Sequence, residues 1–352
     1  MANKVTIQDI ANELQLSRNT VSKAINNTGA LADATREKIL RKAAEMGYKQ
    51  FAYLPLFQED NREPAKPDGK REIAMLTTCF LSNSHFSSMM QDRFQSEIQH
   101  LHYCMTIHRI SPADLKACSL PASVDLERTA GIICFEVFDY DYAQMLCGQG
   151  IPLLFVDTPV MDLHPPLKAD RLYMDNRVEV QNVVRLMAQR GKKRIVYAGP
   201  IWHCQSFYER YMAYKSAMEW LGLADSLRWC MVDNAEGEYA EYIRARLETF
   251  DQLPEAIVCA NDFVAIDVLR ALKTLGYSAP ENVWICGFDD SQEASFMTPK
   301  LTSIHIHGQI MGFTAADLLM TRIKEPSLNY RTVYTETNLV LRESTGDCEA
   351  SV

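Results

Sequence analysis

Residues 5–48 read VTIQDIANELQLSRNTVSKAINNTGALADATREKILRKAAEMGY, and their spacing decides how the rest of the chain is read. Thr6 is followed three residues later by Asp9, a spacing that lets each side chain cover an orphan amide at a helix start. Ile7, Ile10, Ala11 and Leu14 recur at helical spacing, so this helix buries one face. After Gln15-Leu16 the chain restarts at Ser17, a strong N-cap residue, and Val21, Ala24 and Ile25 give a second helix its inner face. Ile39, Leu40, Ala43 and Met46 form a third apolar series that closes on Gly47. Two short helices across a tight turn, backed by a third, predict a helix-turn-helix. Arg18, Asn19, Thr20, Ser22 and Lys23 fall on the first turns of its second helix. Those residue types read base edges and grip phosphates when a helix N-terminus enters the major groove. A small helical bundle with a solvated polar face is the alternative that this pattern alone leaves open.

Charge placement favours the DNA-facing reading. Residues 1–50 hold eight Lys and Arg against five Asp and Glu, yet the whole chain carries a formal −9, so the remainder is strongly acidic. A basic head on an acidic body confines attraction for DNA to one end. At 352 residues the chain is long enough for two or three domains, and its 47% hydrophobic, 23% charged mix is that of a globular protein. No basic-then-apolar leader precedes the first helix, and no apolar run reaches the roughly 18 residues that span a bilayer. The ten cysteines are scattered without a CxxC pair, which predicts reduced thiols and a cytoplasmic location.

Here the residues carry a resemblance. VTIQDIANELQLSRNTVSKAINN is similar, without a gap, to the DNA-binding headpiece of the LacI/GalR family of bacterial transcription regulators. That resemblance implies Arg18, Asn19 and Lys23 as base readers, with Arg18 suited to G and Asn19 to A. It implies Ser17, Thr20, Ser22 and Asn26 chiefly as phosphate contacts, with Thr6 also at the DNA face. One departure is Ala32, where the family usually has a hydroxyl cap; Asp33 is the substitute. One headpiece buries too little surface for tight specific binding, so a homodimer on a near-palindromic double-stranded operator is expected.

Residues 50–71 change character, with Pro55, Pro64, Pro67 and Gly69 among many charges. The family places a short hinge helix here whose leucine wedges into the minor groove. This chain departs from that pattern, having Leu54-Pro55-Leu56-Phe57 instead. Proline is tolerated in a first helical turn, so Leu56 and Phe57 are the wedge candidates; a linker cluster packing on the body is the competing reading.

From Glu72 onward apolar runs alternate with amphipathic stretches, which predicts parallel sheets covered by helices on both faces. A break near 161–168 divides this run into two α/β lobes. The expected organisation is a headpiece over 1–50, a hinge over 51–71, an effector-binding and dimerisation domain over 72–342 and a tail over 343–352. Lobe 1 is expected at about 72–162 plus 291–322, and lobe 2 at about 163–290 plus 323–342. The segments around 289–303 and 321–330 are expected to cross between lobes. The tail lacks leucine heptads, so no tetramerising helix is expected.

In doubly wound sheets ligands sit beyond the carboxyl ends of strands. The polar residues there are Thr77-Thr78, Asp157, Asn261-Asp262 and Asp289-Asp290, with Arg210 near the start of a following helix. Carboxylates and an amide accept or share hydroxyl protons, and an arginine fork supplies fixed donors, a set suited to a polyhydroxylated ligand. Tyr239, Phe207 or Trp202 would supply an aromatic platform. Singly, each acid after a strand is as readily a helix cap.

Together these segments resemble the effector domain of the same family. The carrying motifs are Ala256-Ile257-Val258-Cys259-Ala260-Asn261-Asp262, Val283-Trp284-Ile285-Cys286-Gly287-Phe288-Asp289-Asp290, Phe207-Tyr208-Glu209-Arg210-Tyr211 and Thr298-Pro299-Lys300-Leu301-Thr302-Ser303. The resemblance implies a periplasmic-binding-protein-like domain with Asp157, Arg210, Asn261 and Asp289 as effector contacts and Tyr239 at a ring-stacking position. Gly308 falls where some members have a pocket aromatic, leaving the ligand's size open. The expected effector is a small molecule, most readily a sugar or sugar derivative, acting allosterically on a DNA-binding repressor. Control by a non-sugar ligand or a partner protein is the alternative. A secreted sugar-binding protein would need a signal peptide and no headpiece. An α/β enzyme would need a catalytic motif, and no GxSxG, Walker A or HExxH spacing occurs. No enzyme activity, metal, cofactor or membrane association is expected.

Overall fold

In the computed structural model the described residues are 6–25, 33–46, 71–78, 85–162, 164–233 and 239–346, and the chain divides into units of residues 1–68 and 69–352.

The first unit is three helices, α1 (Ile7–Leu14), α2 (Arg18–Ile25) and α3 (Asp33–Glu45). The sequence dictates the first start. Thr6 and Asp9 form a reciprocal capping box, the Thr6 amide donating to Asp9 Oδ2 at 2.8 Å and the Asp9 amide to Thr6 Oγ1 at 3.3 Å. The Thr6 hydroxyl and amide hold the Asp9 carboxyl below its usual range. Gln15 ends α1 in a left-handed conformation, and Leu16 returns its amide to the Ala11 carbonyl, which makes the tight turn. Ser17 caps α2, its Oγ accepting the Thr20 amide at 3.0 Å. Ile10, Ala11, Val21, Ala24, Ile39 and Ala43 close the core. Lys42 adds an exposed pair with Glu13 at 3.4 Å. The chain therefore forms the expected helix-turn-helix.

The second unit contains three sheets among its described residues. The largest is six-stranded and wholly parallel, in the order β10-β5-β4-β3-β1-β2. Its strands are β1 (Glu72–Thr77), β2 (Cys104–Arg109), β3 (Thr129–Phe135), β4 (Leu153–Val156), β5 (Asp170–Met174) and β10 (Thr332–Thr335). The second has β6 (Ile195–Ala198), β7 (Ala256–Cys259) and β8 (Trp284–Cys286), flanked by single bridges at Met231 and Thr302. Ala224–Trp229 forms a 3-10 turn that leads into the Met231 bridge to Ala198. Antiparallel strands β9 (Ser303–Ile306) and β11 (Thr337–Val340) form a third, two-stranded sheet.

Strand pairing corrects the expected lobe limits. β5 hydrogen-bonds to β4 and β10 to β5, so 170–174 and 332–335 belong to lobe 1, not lobe 2. Helix α12 (Gly308–Lys324) packs on α4 (His85–His100) and on β3, β4 and β5, which keeps the segment near 321–330 inside lobe 1 as well. The lobes are joined at Asp175–Arg177, between β9 and α12, and at Glu336 between β10 and β11. Gly312 explains the close α4–α12 approach, because a Cβ there would lie 2.3 Å from the Met90 carbonyl oxygen. Behind α12, buried Asp170 takes a two-pronged ion pair from Arg322, Nε to Oδ2 and Nη2 to Oδ1 at 3.0 Å each. Arg322 also donates to the carbonyls of Pro326, Leu328 and Asn329, fixing the loop that feeds β10.

Candidate functional sites

Helix α2 carries the DNA-facing candidates. Arg18, Asn19 and Lys23 are exposed, as are Thr6 and Ser17, while Thr20 and Ser22 are half-buried. Ser17 and Thr20 also share a hydroxyl–hydroxyl bond at 2.7 Å, so both hydroxyls serve the helix start. Val21 and Ala24, on the opposite face, are buried and hold the helix in place. Asn26, Leu56 and Phe57 lie outside the described residues.

The second candidate site lies where the carboxyl ends of both parallel sheets approach the crossovers. Arg210 enters it from α8 (Gln205–Trp220) and is almost fully buried. Its Nε donates to Asn176 Oδ1 at 2.8 Å, its Nη1 donates to the Ala260 carbonyl at 2.7 Å, and Nη1 lies 3.7 Å from Asp289 Oδ1. The guanidinium sits 3.5 Å from the Phe288 ring centroid and 5.6 Å from that of Phe207. Buried between rings and backbone, it is fixed in direction before any ligand arrives.

Asp157 reaches across from lobe 1. Its Oδ1 accepts the Thr158 amide at 2.8 Å and the Ser206 amide at 3.2 Å, the latter on the first turn of α8. The Gln205 amide donates to the Thr158 carbonyl, and Gln205 Oε1 accepts the Met161 amide. Glu209 extends this junction, accepting from Tyr334 of β10 at 2.9 Å, from Gln205 at 3.1 Å and from Asn176 at 3.0 Å. The start of α8 is therefore stitched to lobe 1 by backbone and side-chain bonds.

Burial raises the Asp157 carboxyl above its usual range, against the pull of the Thr158, Cys204 and Ser206 hydrogen bonds and Arg210. Burial pushes Asp289 up to about 8, opposed by Arg210 and reinforced by the nearby charges of Asp262, Glu136 and Asp157. Asp262, buried against Ser303 and Ser291, is pushed up to about 6 for the same first reason. Glu136, Asp157 and Asp289 all have positive φ, at 53°, 62° and 105°, directly beyond their strands or strand end segments. Non-glycine residues held there cost about 1–3 kcal/mol each and mark sites that the surroundings over-determine. Gly199 (φ 145°) lets β6 and β7 converge beneath them, since a Cβ there would meet Ala260 Cβ at 2.2 Å.

Of the five sequence-derived effector candidates, Asp157, Arg210 and Asp289 converge. Asn261 is adjacent, following Ala260, but its Oδ1 caps α10 (Asp262–Thr274) by accepting the Val264 amide at 3.0 Å. Tyr239, at the start of α9 (Tyr239–Glu248), donates its hydroxyl to the Met231 carbonyl at 3.0 Å and packs beside Tyr242. Phe207 stands 5.2 Å from His203, which meets Phe138 of lobe 1 edge-on at 5.0 Å, so an aromatic row links the start of α8 to lobe 1. Asn176, Glu136, Glu209 and Phe288 were not among the sequence candidates. Asn176 and Glu136 follow β5 and β3 as Asp157 follows β4, so the same strand-end rule reaches them.

Two segments of the chain match models of known families. Residues 6–50 match the model for bacterial regulatory proteins of the lacI family, and residues 184–345 match a periplasmic binding protein-like domain. The chain is 24% identical to the HTH-type transcriptional repressor PurR of Vibrio vulnificus over 343 residues, covering 96% of this chain and 98% of that one. It is 25% identical to the ribose operon repressor of Haemophilus influenzae, again over 96% and 98%. Among solved structures it resembles a complex of the transcriptional regulator CelR with cellobiose (TM-score 0.68, 21% identity, 97% and 99% covered). A lac repressor dimer bound to operator and the anti-inducer ONPF is similar at TM-score 0.66 and 19% identity, with 97% and 99% covered.

Proposed function

The chain belongs to the LacI/GalR family of bacterial transcription regulators, and on that premise we propose that it is a repressor that binds its operator as a homodimer and is controlled by a small polyhydroxylated effector. The observation that carries the DNA-binding part is the exposed Arg18, Asn19 and Lys23 face of α2 on a helix-turn-helix whose opposite face is buried. Helix N-termini bearing such side chains read the major groove. The protein acts in the cytoplasm, where the DNA is. Among the described residues no helix is long and apolar enough to cross a membrane.

Control rests on the Asp157–Arg210–Asp289 site. Asp157 spends one carboxylate oxygen on the start of α8, so a ligand hydroxyl that takes that oxygen competes with the stitch between lobes. A ligand with different affinity for the stitched and released arrangements shifts the balance between them, and so shifts DNA affinity. Cellobiose in the CelR complex and the name of the ribose operon repressor support a carbohydrate as the effector class.

The test is a thermal-shift screen of mono- and disaccharides and nucleobases, followed by operator gel shifts with each hit. A ligand present at 100 times its Kd raises stability by about 2.7 kcal/mol. Arg210→Ala is expected to abolish the ligand's effect on the gel shift while keeping operator binding. A hit whose effect survives Arg210→Ala places the effector elsewhere.

A further inference from the structure

At the opposite end of β6 and β7 from the effector residues lies a cavity of about 270 Å³ lined by Arg194, Val196, Arg228, Trp229, Phe250 and Pro254, with Asp251 and Gln252 at its edge. Arg194 and Pro254 precede strands whose far ends lead to Gly199 and Ala260, so this cavity is distinct from the Arg210 site. Its apolar walls are two rings in edge-to-face contact, Trp229 and Phe250, with centroids 5.2 Å apart and planes at 63°. Its polar walls are guanidinium groups. Arg228 is exposed, lies 5.1 Å from the Trp229 ring centroid, and forms no ion pair among the described residues. Arg194 is tethered by Leu253 at 3.3 Å and Glu255 at 3.5 Å, which fixes its direction. Behind Phe250, Arg246 lies 5.9 Å from the ring with its Nε buried and unpartnered.

The surroundings are basic although the body is acidic. Arg190, Lys192, Lys193 and Arg194 fall within five residues. Of the nearby acids, Glu255 is occupied by the Lys193 and Arg194 amides at 2.8 and 2.9 Å, and Asp251 stands exposed at the rim. Size narrows the occupant. A cavity of about 150 Å³ holds a benzene ring, and larger ligands fill roughly 300–1,000 Å³. Room therefore exists for one ring system with one substituent.

We propose that this cavity is a second binding site, for a planar aromatic ring bearing a single anionic group, carboxylate or phosphate. The ring lies against Trp229 and Phe250, and the anion is held by Arg228 and Arg194, whose planar forks match carboxylate and phosphate oxygens.

Isothermal titration of the full chain with benzoate, adenosine 5′-monophosphate, benzyl alcohol and inorganic phosphate tests both halves of the site. At least one ring-bearing anion is expected to bind at least tenfold more tightly than benzyl alcohol and than phosphate. Whichever anion is tighter separates carboxylate from phosphate recognition. Arg228→Glu, at an exposed position, is expected to weaken that binding at least tenfold with an unchanged melting temperature. Equal binding of benzyl alcohol, equal binding of phosphate, no binding of either ring-bearing anion, or retained affinity in Arg228→Glu each overturns the proposal.

Discussion

Asp289 carries a carboxyl pushed up to about 8, chiefly by burial, while Arg210, 3.7 Å away, pulls the other way. A carboxyl whose folded value exceeds its unfolded value binds more protons in the folded state between the two. Stability linked to it is therefore present at low pH and declines as pH rises from about 4 towards about 8. Asparagine keeps the shape of the protonated acid and cannot ionise. Asp289→Asn is thus expected to gain thermal stability relative to the parent as pH is raised from 6 to 9, the difference widening through about pH 8. Melting curves at several pH values measure it, and a difference constant with pH would show that Asp289 stays charged throughout. Asp262, also raised but only to about 6, contributes a decline that ends earlier. The two residues separate because Asp262 is held by Ser303 and Ser291, whereas burial of the Asp289 carboxyl is reinforced by the charges of Asp262, Glu136 and Asp157.

At the scale of elements, α12 and β5 are locked by a charge pair that two-sided burial makes consequential. Asp170 is fully buried and Arg322 is 4% exposed, and the Arg322 guanidinium donates two hydrogen bonds to the Asp170 carboxylate at 3.0 Å each. Arg322→Met removes the partner and leaves Asp170 with the Arg331 amide and a guanidinium 3.7 Å away. Breaking such a pair costs roughly 3–5 kcal/mol, because one charge stays buried without its counterion. Denaturant unfolding of Arg322→Met should show a loss of that size, and the double variant with Asp170→Asn should recover part of it. A loss below about 1 kcal/mol, the scale of an exposed pair, would contradict the lock. The same elements show what the sequence made legible. Runs such as Ile132–Phe135 and Leu153–Val156 announce buried strands, and their alternation with amphipathic stretches gives the layers. The edge strand β10, Thr-Val-Tyr-Thr, is half exposed and lacks such a run. Its place beside β5 follows from the Asp170–Arg322 contact, which spans 152 positions in the chain and has no local signature. The lobe limits therefore depend on pairing between segments far apart in the chain. At the proposed effector site, the positions of Asp157, Arg210 and Asp289 are legible because they follow strands or lie near a helix start. Phe288 beneath Arg210, and Tyr334 against Glu209, depend on packing between distant segments.

For the whole molecule, charge is divided so that residues 1–50 carry eight bases against five acids in a chain of formal charge −9. Non-specific affinity for DNA then comes from the headpiece's contacts to DNA phosphates and falls steeply with salt, whereas discrimination between sequences comes from base-edge contacts. Arg18 is exposed and opens α2, at the end of the helix from which side chains reach base edges. A guanidinium gripping a guanine by two bonds gives about 1–3 kcal/mol of discrimination against the wrong base. Arg18→Ala should therefore weaken operator binding by roughly ten- to a hundredfold, as that energy implies, and flatten preference at one symmetric base position per half-site. Its affinity for unrelated DNA at matched salt should change far less. Binding to a library of single-base operator variants, in 50 and 200 mM salt, reads both effects together. If Arg18→Ala lost operator and unrelated DNA equally, with the preference at every position unchanged, Arg18 would be a phosphate contact. The base-reading role of α2 would then pass to Asn19 and Lys23.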